Sequence, residues 1–235
     1  MPIRIAVRTH SSPIPFRRFA TAALSQLVPN PTIYLCSGVW HDNLLSNSDA
    51  DGLSLRDELA AAAAGGVLQV VGTRRQYFVD SENRRREREN KVPLTEAEEN
   101  AIESYAKFMT FVDALKPTAA ETFAFPAPLE KVRYWHAKII LVQVNATPVV
   151  AVIGSSNMTW AASAYRAKGW NHESDVIIWS PNHPSEPRLR EALGNLDAEN
   201  VESLTMQAIL DPAVGQPNED AQLLKLRDEI ITPDE

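Results

Sequence analysis

The sequence predicts an α/β protein, a sheet flanked by helices, and three observations carry that reading. A strand, a helix and a second strand follow one another between Thr32 and Val71. Two apolar strands joined by a short turn lie between Trp135 and Ile153. Between these units runs a long, charged, mostly helical stretch from Asp80 to Leu115, which has the character of an insertion between core strands.

The first unit opens at Thr32 to Ser37, a short β-prone run after a Pro-Asn-Pro break. Leu53 to Ala64 is alanine-rich and stops at Gly65-Gly66, a sound helix end. Val67 to Val71 is the next strand, and the order strand, helix, strand predicts a parallel crossover. In the insertion, a break near Val92-Pro93 is followed by Thr95 with Glu98 three residues on, a capping-box start. Its apolar stripe, from Ile102 to Leu115, reads as core or dimer contact.

Trp135 to Val142 reads as a central strand, Asn145 to Pro148 as a turn, and Val149 to Ile153 as a second buried strand ending at Gly154. Asn157 to Ala167 is predicted helical, Asp175 to Trp179 a strand, and Arg188 to Leu196 a helix. The remainder, about 197–235, reads as an acidic segment. The whole chain, 1–235, is expected to form one domain, with core strands in about 32–72 and 132–180 and a helical insertion over about 80–116.

Composition narrows the classes. A hydrophobic share of 44% excludes a disordered chain. The single cysteine, Cys36, allows no internal disulfide and points to a reducing compartment. The first ten residues lack the apolar run of a signal peptide, and no stretch is apolar enough to span a bilayer, so a cytoplasmic protein without stable membrane association is expected. The net charge of -7 works against a nucleic-acid partner, because phosphate binding needs cations. Its distribution is uneven, however. Arg74, Arg75, Arg84, Arg85, Arg86, Arg88 and Lys91 form a basic excess diluted by Asp80, Glu82, Glu87 and Glu89.

The chemistry-bearing residues cluster late. His136 and Lys138 lie two apart on a predicted strand and so share a face. Alone, such a pair reads as a satisfied histidine and a snorkelling lysine. Gly154-Ser155-Ser156-Asn157 then follows the next strand and precedes a helix, where small residues admit a ligand and a helix start favours an anion. Alone, this reads as a helix cap. Asn171-His172-Glu173 comes third, before the 175–179 strand, with a carboxylate suited to fixing an imidazole tautomer.

In this order, His136-x-Lys138, hairpin, Gly154-Ser155-x-Asn157, helix and Asn171-x-Glu173 resemble the phospholipase D superfamily, most of all its small single-motif bacterial endonucleases. The match covers Trp135 to Trp179 in detail. The resemblance implies a mixed sheet flanked by helices and metal-independent phosphodiester cleavage without cofactor, through a covalent phosphohistidine. His136, Lys138, Ser155, Asn157 and Glu173 are its implied catalytic residues, and a single motif implies a homodimer with both copies in one site. Arg84, Arg85, Arg86, Arg166 and Lys168 are candidate contacts to nucleic-acid phosphates, the favoured substrate; a lipid phosphodiesterase or a catalytically weakened nucleic-acid-binding module are the alternatives. Two features depart from the family. Gln143 stands where an aspartate is usual, five residues after the lysine, and the hairpin before Gly154 is a few residues longer. The first departure predicts reduced activity.

Overall fold

The computed structural model describes residues 3–8, 31–38, 40, 55–63, 65–72, 75–118, 121–124, 138–154, 173–191, 204–207 and 219–231. Among these, the strands are β1 (Ile3–Arg8), β2 (Thr32–Cys36), β3 (Val67–Val71), β4 (Glu121–Ala124), β5 (Lys138–Val144), β6 (Thr147–Gly154), β7 (Glu173–Trp179) and β8 (Leu204–Gln207). The helices are α1 (Leu55–Ala63), α2 (Arg75–Arg88), α3 (Glu96–Asn100), α4 (Glu103–Leu115), α5 (186–191) and α6 (Glu219–Ile231). The expected helix over 157–167 lies outside the described residues, as does the end of the one expected over 188–196.

All eight strands join one mixed sheet in the order β4-β3-β2-β5-β6-β7-β1-β8. The predicted crossover is present: β2 and β3 pair in parallel, with α1 between them in the chain, and β4 extends the parallel part. From β2 outward through β5, β6, β7, β1 and β8 every pairing is antiparallel. Three strands fall outside the expected core ranges. β4 and β8 have four residues each, too short for periodicity to register. β1 alternates Ile3, Ile5 and Val7 with Arg4, Ala6 and Arg8, a period-2 signal that a search for a leader peptide passes over.

Strand alternation divides the buried side chains into two layers. On the front face, Ile33, Leu35, Leu68, Val70, Ile140, Val142, Val152, Ile177 and Trp179 meet Leu59 and Ala63 of α1 and Phe108, Phe111, Val112 and Leu115 of α4. On the back face, Tyr34, Cys36, Val71, Ile139, Leu141 and Ala151 meet Leu223 and Ile230 of α6. The segment read as an acidic tail therefore supplies an edge strand and the cover of the back face. Its acids mask a sparse apolar stripe in which Leu223, Leu226 and Ile230 recur at helical spacing.

The turn between β5 and β6 is tighter than expected. Only Asn145 and Ala146 form it, with φ of 50° and 62°, and Pro148 lies within β6. Positive φ at both central residues is what a two-residue type I′ hairpin requires. Ala146, which gains no local compensation there, has its carbonyl held by Arg227 Nη1 of α6 at 3.1 Å. Just beyond the turn, Val142 pairs with Val150 but Gln143 with Pro148, so Val149 is an extra residue in β6, a bulge. Its carbonyl accepts the Ser180 N–H at 2.8 Å.

Truncating the back-face contact tests the role of α6. Leu223→Ala should lower the unfolding free energy by about 3 kcal/mol in urea titrations, the usual cost of a buried leucine. A loss below about 0.5 kcal/mol, the range of surface substitutions, would remove α6 from the core.

Candidate functional site

The topology gathers the described motif residues, Lys138, Gly154 and Glu173, at one edge of the sheet. β5 and β7 begin where β1, β2, β3 and β6 end, because they run antiparallel to their neighbours. Lys138, the first residue of β5, is half-buried and pairs with Gly154, the last residue of β6. Gly154 pairs on its other side with Asp175 of β7. Glu173 is the first residue of β7, within the strand and not on the turn before it, and pairs with Arg8. Lys138 belongs to the same alternation as Ile140 and Val142, and Asp175 to that of Ile177 and Trp179, so the row lies on the front face.

The floor next to this row is aromatic. The Trp40 indole N–H donates to the Ser37 carbonyl at 2.9 Å, and its ring sits 4.7 Å from that of Phe111 and 5.4 Å from that of Phe108. Gly72, just past β3, allows this approach: a Cβ there would lie 2.7 Å from the Phe108 ring and 3.0 Å from the Trp40 nitrogen. Cys36, at the end of β2, is fully buried, and burial pushes its thiol well above the usual range, so it stays protonated and unreactive.

His136, Ser155, Asn157, Arg166 and Lys168 lie outside the described residues. In sequence, His136 is two residues from Lys138, and Ser155 and Asn157 follow Gly154 directly. Sequence reasoning passed over Asp175. It is a carboxylate left 5% exposed in the middle of the edge row, and its signal was a lone acid opening the apolar run Asp-Val-Ile-Ile-Trp. Among the described residues no three His, Cys, Asp or Glu side chains group closely enough to hold a metal, and no helix is long and apolar enough to cross a membrane.

Gln143 sits elsewhere. Five residues of strand separate it from Lys138, roughly 16 Å, and it lies on the opposite face. There its Nε2 donates to the Tyr34 hydroxyl at 3.2 Å in the back-face layer. Position 143 thus lies at the opposite end of β5 from Lys138 and on the other face.

The arginine cluster is also engaged. Arg85 pairs with Glu82 at 2.5 Å and with Glu89 at 3.6 Å. Arg86 reaches Glu98 at 2.7 Å and the Val92 carbonyl at 3.2 Å. The Asn83 side-chain oxygen accepts the Leu94 N–H at 2.8 Å. The Arg86 and Asn83 contacts staple the turn between α2 and α3; Arg84 and Arg85 are exposed and Arg86 is partly buried. The predicted capping box is present: Thr95 N–H donates to Glu98 at 2.8 Å, and Glu98 N–H to the Thr95 hydroxyl at 3.4 Å.

No protein-family model matches the chain, and no curated protein matches it in sequence. Solved structures do. Nuc from Salmonella typhimurium, a phospholipase D family member, is similar at 14% identity and a TM-score of 0.38 over 88% of this chain and 98% of Nuc. Two mutant forms of yeast tyrosyl-DNA phosphodiesterase are similar at 13% identity and a TM-score of 0.43. They align with 80% and 76% of this chain, which spans 48% and 46% of theirs, about half the yeast protein's length.

Acid should loosen the insertion. The Thr95 backbone N–H, then Arg86 and the Thr95 hydroxyl, hold the Glu98 carboxyl down to about 2. An unfolded glutamate titrates near ~4.3. The folded value is the lower one, so the stabilisation is present above the unfolded value and disappears as pH falls from there towards about 2. Amide protection factors over residues 89–98 should fall across that window. In Glu98→Gln they should already be low at neutral pH, and unchanged protection in that variant would contradict the assignment.

Proposed function

We propose that the chain is a metal-independent phosphodiesterase of the phospholipase D type that cleaves DNA or RNA. One observation carries the reading. Lys138 and Gly154 pair across the β5–β6 hairpin, Gly154 pairs onward with Asp175 of β7, and Glu173 stands two residues from that row, so three pieces of the motif meet at the same sheet edge. Caps and snorkelling lysines with no common purpose have no reason to converge so.

In this reading the His136 imidazole attacks phosphorus, the bond to the leaving oxygen breaks, and a phosphohistidine forms. A second imidazole protonates the leaving oxygen, then takes a proton from the water that attacks phosphorus and frees His136. Lys138 and Asn157, with Ser155, hold the non-bridging oxygens as their charge grows, and Glu173 orients the imidazole. The chain carries one such motif, so the second imidazole is the partner's His136 in a two-fold homodimer whose interface contains the site.

Nucleic acid is favoured over lipid because the chain's most apolar helical stripe is used internally. Phe108, Phe111, Val112 and Leu115 of α4 are buried against the sheet and are not available to dock on a membrane. Arg166 and Lys168, next to the motif in sequence, and exposed Arg84 are the cations left for phosphates, whereas Arg85 and Arg86 serve the insertion. The reading as a weakened binding module had Gln143 as its only support, and that residue lies at the far end of β5 on the other face.

Incubation with plasmid, single-stranded DNA, RNA and phosphatidylcholine tests this. Cleavage of a nucleic acid should persist in EDTA, and His136→Ala should reduce it by about 10³-fold or more. Loss of turnover in EDTA would replace the mechanism with a metal-dependent one. Choline release without nucleic-acid cleavage would move the substrate to lipid, and binding without cleavage would restore the binding module. Sedimentation should show a dimer; a monomer at assay concentration would remove the two-histidine scheme.

A further inference from the structure

The segment after β7, at the end of that strand away from Glu173, is fastened by a histidine. The Ser185 N–H donates to His183 Nδ1 at 3.2 Å, and the Glu186 N–H donates to the His183 carbonyl at 2.9 Å. The next position, Pro187, has no N–H to satisfy. His183 therefore takes both donors at the opening of α5. The helix itself is anchored: Leu189 donates to the Ser185 carbonyl at 2.9 Å and is buried in the front-face core. Ser185 is 2% exposed, and a buried N–H that loses its acceptor is costly.

The same segment reaches β6 and α6. The Ser180 N–H holds the carbonyl of Val149, the bulge residue, at 2.8 Å. The Ser180 hydroxyl accepts the Asn182 N–H at 3.3 Å, and the Asn182 side-chain amide donates to Asp220 of α6 at 2.6 Å. A run of hydrogen bonds thus leads from the hairpin bulge through Ser180 and Asn182 to the residue that caps α5.

An imidazole nitrogen accepts only while it is unprotonated. With Nδ1 accepting, neutral His183 carries its proton on Nε2. Protonation of Nδ1 sets one donor against another, the Ser185 N–H. The ring is half-buried, and burial holds it below the usual histidine value, which favours the accepting form. The charged groups of the adjoining elements are accounted for as follows. On α5, Glu186 accepts from Arg190 at 2.8 Å, and Arg188 and Glu191 are exposed. α6 opens with Glu219 and Asp220, of which Asp220 takes the Asn182 amide. Val149, Trp179 and Ser180, where β6 and β7 adjoin the segment, do not titrate.

We propose that His183 is a proton-operated latch: neutral, it fastens the 180–186 turn to the hairpin bulge, and protonated, it releases it. The latch is a property of the fold and does not rest on the phosphodiesterase reading. Its reach is long, because the bulge sets the register that pairs Lys138 with Gly154. The folded value of His183 lies below the unfolded one of ~6.5. The stabilisation is therefore fully present above the unfolded value and is lost as pH falls through the folded one.

Imidazole and amide NMR of the full chain, titrated from neutral to acid pH, tests this. The neutral His183 ring should carry its proton on Nε2 and titrate below the ordinary histidine value. Protection factors at Ser185, Glu186 and Ser180 should fall together through that midpoint, by about tenfold or more, the worth of one lost hydrogen bond. No fall at Ser185, or a fall there with Ser180 unchanged, would overturn the proposal. A second arm uses His183→Asn, whose side-chain oxygen can accept the N–H two residues on without titrating. That variant should keep its Ser185 protection in acid, whereas His183→Ala should have lost it at neutral pH. The wild-type fall persisting in His183→Asn would also overturn the latch.

Discussion

The placement of Lys138 opposite Gly154 depends on the register of the β5–β6 hairpin, and the candidate site is counted from that pairing. A two-residue turn pairs Val144 with Thr147 and Gln143 with Pro148. Continued without interruption, that register would put Lys138 opposite Ile153. The extra residue, Val149, shifts the pairing by one, so that Val142 meets Val150 and Lys138 meets Gly154. A one-residue slip exchanges the faces of a strand. The bulge thus presents Gly154, and not an isoleucine side chain, beside the lysine on the front face. Pro148 suits the irregularity, since it has no N–H to contribute to a ladder, and Ser180 holds the bulge carbonyl.

This constraint links the far end of the hairpin to the edge. The left-handed turn at Asn145-Ala146 is held from the back face by Arg227 of α6, and the same helix covers Leu141 and Ala151 midway along the two strands. On the front, α4 leaves the edge at Trp40 and Gly72 and returns across the sheet to lead into β4. The two helices therefore fix the sheet on which the row is arranged. The α2–α3 turn, by contrast, is held by its own ion pairs, with exposed partners whose individual contributions are small.

Much of this was legible in the sequence, and what was not has physical reasons. The crossover of β2, α1 and β3 was readable because each element carries its own pattern and stop signal. So was the capping box at Thr95, which depends on two residues three apart. Gly154 was readable as the end of its strand, whereas Glu173, expected before a strand, is the first described residue of β7. The bulge was not readable: Pro148 after Asn145 looks like a turn residue, and only pairing reveals that it lies within a strand. The back-face bond of Gln143 to Tyr34 was not readable, because it depends on the pairing of β5 with β2. Asp175 escaped notice because its burial follows from the pairing of β7 with β6 and β1, which its sequence neighbours do not reveal. α6 was hidden by the acids at both of its ends, which dilute the leucines and isoleucines that bury it.

The proposed phosphate-transfer site takes Lys138, Gly154 and Glu173 from this edge and His136 as its nucleophile. Rapid quench of a reaction with labelled oligonucleotide, followed by peptide mass spectrometry, tests it most directly. The account predicts a base-stable, acid-labile adduct on the peptide containing His136, formed and discharged during turnover. Turnover with no adduct on that peptide at any quench time, and the same cleavage by His136→Ala, would contradict it.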